Sequence, residues 1–148
     1  MCRPFLPLLI LVGLLGCGGA DQSQGLPATV PVTGQVTLDG APIEGAVVTF
    51  VPTGKTMGIE CVGRTDDTGM YTPKQTRGGE GVPPGTYKVV ISRFLRDGKP
   101  VTSTAPGAGA MGVLPESLPP KYSDPTVTKL TATVPDEGGT IDFALESK

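Results

Sequence analysis

Three carboxylates crowd one short stretch of this chain: Glu60, Asp66 and Asp67. Carboxylate and carbonyl oxygens are what a hard cation takes as ligands, so a calcium site is the chemistry such a group could support. The run Asp66-Asp67-Thr68-Gly69 also has the composition of a tight turn. There an Asp side chain accepts nearby backbone N–H groups and Gly supplies a positive φ. The spacing lacks the ligand series of a calcium loop, which favours the turn. Paired carboxylates also serve glycoside hydrolysis, but nothing in the sequence sets two of them across a cleft. Cys61 sits between Glu60 and Val62, without the basic neighbours that lower a thiol's pKa, and reads as a small core hydrophobe. An intermolecular disulfide is its alternative in an oxidising compartment. Tyr122 is a stacking platform for sugar or an anchor that buries its ring and hydrogen-bonds its tip, and the absence of Trp favours the anchor.

Composition narrows the field further. The 148 residues include no His, which excludes Ser-His-Asp and Cys-His nucleophiles, an imidazole base and His-ligated metal. No cofactor or metal site is expected. With 12 basic and 14 acidic residues, the chain lacks the basic footprint of a nucleic-acid binder. Lys55, Lys74, Arg77, Arg93, Arg96 and Lys99 are scattered among acids and read as solvated surface. Arg77-Gly78-Gly79-Glu80-Gly81 does not follow a strand and open a helix, as a phosphate loop must.

The N-terminus carries the sharpest signal. Arg3 precedes an apolar run over residues 5–15, long enough for a secretion signal and short of the ~20 residues that span a bilayer. Leu14-Leu15-Gly16-Cys17 follows at once and resembles the lipobox of bacterial lipoproteins. The resemblance implies cleavage after Gly16, a diacylglyceryl thioether on Cys17 and a further acyl chain on its freed amine. Each buried methylene adds about 0.8 kcal/mol, and more than one chain is needed for a lasting anchor. Gly18 stands where an Asp would signal inner-membrane retention, so the resemblance implies the outer membrane. The alternative is an ordinary signal cut near Gly18-Gly19-Ala20, which would discard Cys17. The expected organisation is a signal peptide over 1–16, a lipidated Gly-rich tether over 17–31 and one domain over 32–148. With Cys17 lipidated, Cys61 has no partner within the chain, so no disulfide framework is expected.

The elements that must position these residues read as strands. Val32, Gly34, Val36 and Leu38 alternate with polar residues until Asp39-Gly40, a hairpin turn. Residues 46–51, apolar on both faces, read as a central strand; residues 59–64 and 70–72 read as two more. After Pro83-Pro84-Gly85, Tyr87, Val89 and Ile91 face one way and Lys88, Val90 and Ser92 the other. Leu130, Ala132 and Val134, then Ile141, Phe143 and Leu145 beyond Asp136-Glu137-Gly138-Gly139, read as a final hairpin. With 22 Gly and 16 Pro, about a quarter of the chain, no window carries a useful helical period beyond the signal. About seven short strands with frequent turns read as an all-β sandwich. The stretch 97–126 is the exception: 97–117 reads as a mobile loop, and 118–125, with Tyr122, is expected to pack against the sandwich.

Three motifs in order now resemble a known family. Val32-Thr33-Gly34-Gln35-Val36 through Gly45-Ala46-Val47-Val48, then Thr65-Asp66-Asp67-Thr68-Gly69-Met70-Tyr71, then Pro84-Gly85-Thr86-Tyr87-Lys88-Val89-Val90-Ile91 look like the carboxypeptidase regulatory-like domain. Its fold is the seven-stranded, Greek-key-type, prealbumin-like (transthyretin-like) sandwich. Together with Leu118-Pro119-Pro120-Lys121-Tyr122-Ser123-Asp124 and the lipobox, the chain looks like small lipoproteins of planctomycete-type bacteria. The resemblance places Tyr71 and Tyr87 in the core. It implies no peptidase activity, because the catalytic zinc domain and its His ligands are missing. The expected role is non-catalytic: a lipid-anchored envelope protein, structural or protein-binding, with a carbohydrate-binding accessory lipoprotein as the alternative and an uncharacterised carboxylate enzyme as the least supported reading.

Overall fold

A computed structural model describes residues 27–101 and 114–148. Cys17, the signal, most of the tether and residues 102–113 of the expected loop lie outside the described residues. In chain order the strands are β1 (Val32–Leu38), β2 (Ala41–Pro42), β3 (Val47–Pro52), β4 (Cys61–Arg64), β5 (Met70–Tyr71), β6 (Lys74–Gln75), β7 (Gly85–Ser92), β8 (Leu95–Arg96) and β9 (Lys99–Pro100). A single helical turn, α1 (Pro120–Ser123), precedes β10 (Thr131–Val134), β11 (Gly139–Thr140) and β12 (Phe143–Leu145).

The chain is all-β in two five-stranded sheets and a small hairpin. One sheet runs β10-β7-β3-β4-β6, antiparallel throughout. In it β3 lies between β4 and β7, the central position its apolar run suggests, though only Val48 and Phe50 are fully buried and the other face is half-exposed. The other sheet is built on β1. Along one edge of β1 run β11 and β12, both parallel to it; β2 and β5 pair antiparallel along the other. The β8–β9 hairpin stands apart.

Twelve strand segments among the described residues exceed the seven expected, because six are only two residues long. Prolines and glycines interrupt the ladders, since Pro lacks a donor and Gly bends the chain out of register.

One expectation is overturned. The last two strands are not a hairpin: β10 pairs with β7 in one sheet and β11–β12 with β1 in the other. The turn between them, closed by Gly138 N–H donating to the Pro135 carbonyl at 3.0 Å, carries the chain from one layer to the other. By contrast Asp39-Gly40 is the hairpin turn expected. Both residues have positive φ, 51° and 84°, and Leu38 pairs with Ala41 across them. Positive φ at both central positions gives a turn whose twist matches its strands.

The sheets meet in one core: Val32, Val36, Tyr71, Phe143 and Leu145 from one layer against Val48, Phe50, Cys61, Tyr87, Val89 and Ile91 from the other. Phe50 lies at the seam, its ring centroid 5.8 Å from Tyr87, 6.3 Å from Tyr71 and 6.4 Å from Phe143. Tilted and edge-on rings at these separations add roughly 0.5–1.5 kcal/mol per pair beyond their burial. Tyr71 and Tyr87 are core residues, as the family resemblance implies. Their hydroxyls donate to the carbonyls of Ile141 and Pro83, both at 2.7 Å, which makes burial of the phenols affordable.

Candidate functional site

The acidic trio is not brought together. Glu60 stands just before β4 and Asp66 just after it, and a four-residue strand rises about 13 Å. Asp66 instead caps its own turn. Its Oδ1 accepts the Thr68 N–H at 2.9 Å, the Thr68 hydroxyl at 2.6 Å and the Met70 N–H at 3.0 Å. Gly69 follows with φ 75°. A side chain there would meet Pro42 Cβ at 2.9 Å and crowd the Val36 carbonyl at 2.7 Å, so the position needs Gly for space as well as for φ. The Thr68 hydroxyl, assisted by the Thr68 and Met70 amides, holds the Asp66 carboxyl below its ordinary range. Its Oδ1 is thus committed to the turn. Asp124 repeats the device: its Oδ1 takes the Thr126 N–H at 2.7 Å and the Thr126 hydroxyl at 2.6 Å, and its carboxyl is lowered in the same way. Among the described residues no three His, Cys, Asp or Glu side chains gather as a metal site would require.

Cys61 is fully buried on the inner face of β4, between the layers. Burial pushes its thiol up to about 11, which keeps it protonated and unreactive at neutral pH. Tyr122 is half-buried against the core, on α1. Its hydroxyl accepts the Glu146 N–H at 3.1 Å, and the Lys121 ammonium lies 4.9 Å from its ring centre. The tip is used to tie the C-terminal segment to α1, which is the anchoring role. Of the six basic residues read as solvated surface, two are engaged: Lys74 pairs with Glu80 at 2.8 Å on the surface, and Arg93 Nε donates to the Glu44 carbonyl at 2.8 Å.

Sequence reasoning missed the residue that fastens the return from the 102–113 segment. One oxygen of Glu116 accepts both the Arg93 N–H, at 2.8 Å, and the Leu118 N–H, at 3.0 Å. Leu118 then plugs into the core. Only the apolar-polar spacing around Leu118 hinted at this; Glu116 itself carries no local signal.

Surface concavities supply the remaining candidates. A depression of about 620 Å³ is lined by Asp39, Gly40 and residues 144–148. It contains two carboxyl-bearing residues, Asp39 and Glu146. Asp39 Oδ1, however, accepts the Ser147 N–H at 3.0 Å, and that bond lowers its pKa, the opposite of what a general acid needs. A larger groove of about 680 Å³ lies between Pro27, residues 53–57 and residues 83–86. Its lining holds one charged residue, Lys55, and no acid or nucleophile beyond threonine hydroxyls. Two of the three hydroxyls are occupied: Thr53 and Thr56 both donate to the Thr86 carbonyl, at 3.0 and 2.9 Å, and Thr56 accepts the Thr86 N–H at 2.8 Å. Among the described residues, these two concavities offer surfaces and fixed loops. No family model and no curated protein matches the chain.

Proposed function

We propose that this is an exported, lipid-anchored protein of the bacterial cell envelope, at the outer membrane, that works by structural presentation or protein binding and not by catalysis. The observation that carries the reading is Leu14-Leu15-Gly16-Cys17 set directly behind an apolar run of signal length. An all-β domain with one core and its inward thiol kept protonated suits an extracytoplasmic setting, where an exposed thiol would be oxidised. The finer fold in this reading is the seven-stranded, Greek-key, prealbumin-like sandwich of the carboxypeptidase regulatory-like domain. Two groupings support the count: β5 and β6 as one strand that changes layer at Thr72-Pro73, and β11 with β12 as one interrupted strand. Setting β2 and the β8–β9 hairpin aside then leaves seven.

The partner is an envelope protein or glycan. The sheet edge at β10 offers backbone groups on which a partner strand can pair. A sugar platform at Tyr122 is the weaker version, since its ring is half-buried and its hydroxyl already engaged.

Metabolic labelling with radioactive palmitate tests the anchor. Label is expected on the wild type and absent from Cys17→Ala. An unlabelled wild type, or equal label on the variant, overturns the reading. Crosslinking in the native envelope then identifies the partner.

A further inference from the structure

The groove at Pro27 lies at the end of the sandwich where the described chain enters, beside the start of β7 and the exit from β3. Its outer wall is a held loop. Thr53 and Thr56 grip the Thr86 backbone through three side-chain hydrogen bonds. Gly85 leaves room for this, because a side chain there would meet Thr56 Oγ1 at 2.6 Å. The loop also packs on the entering chain: a Cβ at Gly58 would touch Pro83 Cγ at 3.2 Å and Pro27 Cγ at 3.5 Å. The result is a fixed loop that leaves Met57 78% exposed, against 50% for Val127 and 40% for Met70. An ordered loop that holds its largest apolar side chain in water, beside the half-buried Pro27 and Pro84, favours a contact that removes that surface from water.

The position of this face relative to Cys17 selects the contact. Cys17 lies ten residues before Pro27, and ten residues span at most about 35 Å when fully extended. The opposite end of the sandwich is farther by the length of β3, about 20 Å. Resting on the anchoring proposed above, we propose that the Pro27–Met57–Pro84 face is a membrane-contact surface, with Met57 seated at the boundary between headgroups and acyl chains of a lipid bilayer. The attraction is apolar. Lys55 lines the groove and Arg77 stands near the same end, but so do Glu60, Asp136 and Glu137, so an anionic surface gains little there. The contact gives the domain a fixed attitude, with the Asp66 turn and the β8–β9 hairpin at the far end directed away from the bilayer.

The full-length lipidated protein in zwitterionic phosphatidylcholine vesicles, with brominated acyl chains as quencher, reads this out. An environment-sensitive fluorophore is placed on Lys55→Cys, or on Lys99→Cys in the hairpin at the far end. Cys61 is buried and protonated and does not compete for the label. The expected result is blue-shifted, lipid-quenched emission at position 55, unquenched emission at 99, and loss of the quenching when Met57→Asp is added to the position-55 reporter. Because Met57 is exposed, that change leaves the fold intact. Vesicle flotation without quenching at 55, or with equal quenching at 55 and 99, overturns the contact and leaves the anchor standing. Protein that does not float with vesicles overturns both.

Discussion

Gly34→Ala is expected to be among the most damaging single-methyl additions in the molecule, although Gly34 adopts an ordinary strand conformation. Gly34 sits mid-β1 and its partner across the ladder is Tyr71. A Cβ there would overlap the Ile141 carbonyl oxygen and lie 2.7 Å from both the Ile141 carbonyl carbon and Tyr71 Cε1. The obstacle is main chain, so no rotamer change relieves it; β1 must move away from the 139–145 segment that pairs along it. That same carbonyl accepts the Tyr71 hydroxyl, so the movement also breaks a bond that satisfies a phenol whose pKa burial has pushed well up. Overpacking costs about 1–3 kcal/mol, and losing a buried hydrogen bond about 1 kcal/mol more. The sum, about 2–4 kcal/mol, is a large share of the 5–15 kcal/mol a domain has in total. With a urea m-value of about 2 kcal/mol/M, the unfolding midpoint falls by about 1.5 M. Tyr71→Phe, which loses the hydroxyl alone, should lower it by about a third as much. Urea unfolding followed by circular dichroism measures both. A Gly34→Ala midpoint within about 0.2 M of wild type, or a Tyr71→Phe loss exceeding that of Gly34→Ala, would refute the argument that backbone crowding at Ile141 decides this position.

Further consequences can be checked with the same preparation. The carboxyls of Asp39, Asp66 and Asp124 are all held below their ordinary range by hydrogen bonds. Depressed carboxyls stabilise the fold at pH above their unfolded values, so the melting temperature should be flat through neutrality and fall as pH drops below about 4; Asp66→Asn should flatten that fall. Calcium should leave the wild-type melting temperature where a chelator leaves it. Cys61 has the opposite sign: its pKa is raised from 9.0 to about 11, so stability is full below pH 9 and declines toward pH 11, and Cys61→Ala should lose part of that alkaline decline. In native buffer the thiol should react with a disulfide reagent only as fast as the domain opens. Glu116→Ala leaves the Arg93 and Leu118 amides without their acceptor and should cost about 2 kcal/mol in urea unfolding, most of it restored by Glu116→Gln, which keeps an oxygen at that place.

What the sequence disclosed, and what it withheld, divides along the range of the interactions. Asp39-Gly40 and Asp66-Asp67-Thr68-Gly69 are legible because their bonds close within a few residues: positive φ at 39, 40 and 69, and an Asp66 oxygen that reaches only as far as residue 70. The alternation over β7 is legible for the same reason, since side-chain direction follows from the pleat alone. Period two says which face is buried and is silent about which sheet the strand joins. The strand at 131–134 and those at 139–145 carry the same pattern on either side of a turn, yet they part company, because β10 finds its partner in Lys88 and Tyr87, over 40 residues back, and β11–β12 find theirs about 107 residues back in β1. Gly34 looks like one more place in an alternation until the Ile141 carbonyl arrives from the far end of the chain. The candidate surface obeys the same rule. Pro27, Met57 and Pro84 are unremarkable in three separate stretches, and only the threonine clasp on Thr86 turns them into one apolar face with an exposed methionine. If that clasp is what orients the domain, Thr56→Val should leave the lipid anchor untouched, loosen the loop, and weaken lipid quenching at position 55 while Met57 is still present. That outcome would separate the ordering of the loop from the apolarity of its tip as the cause of contact.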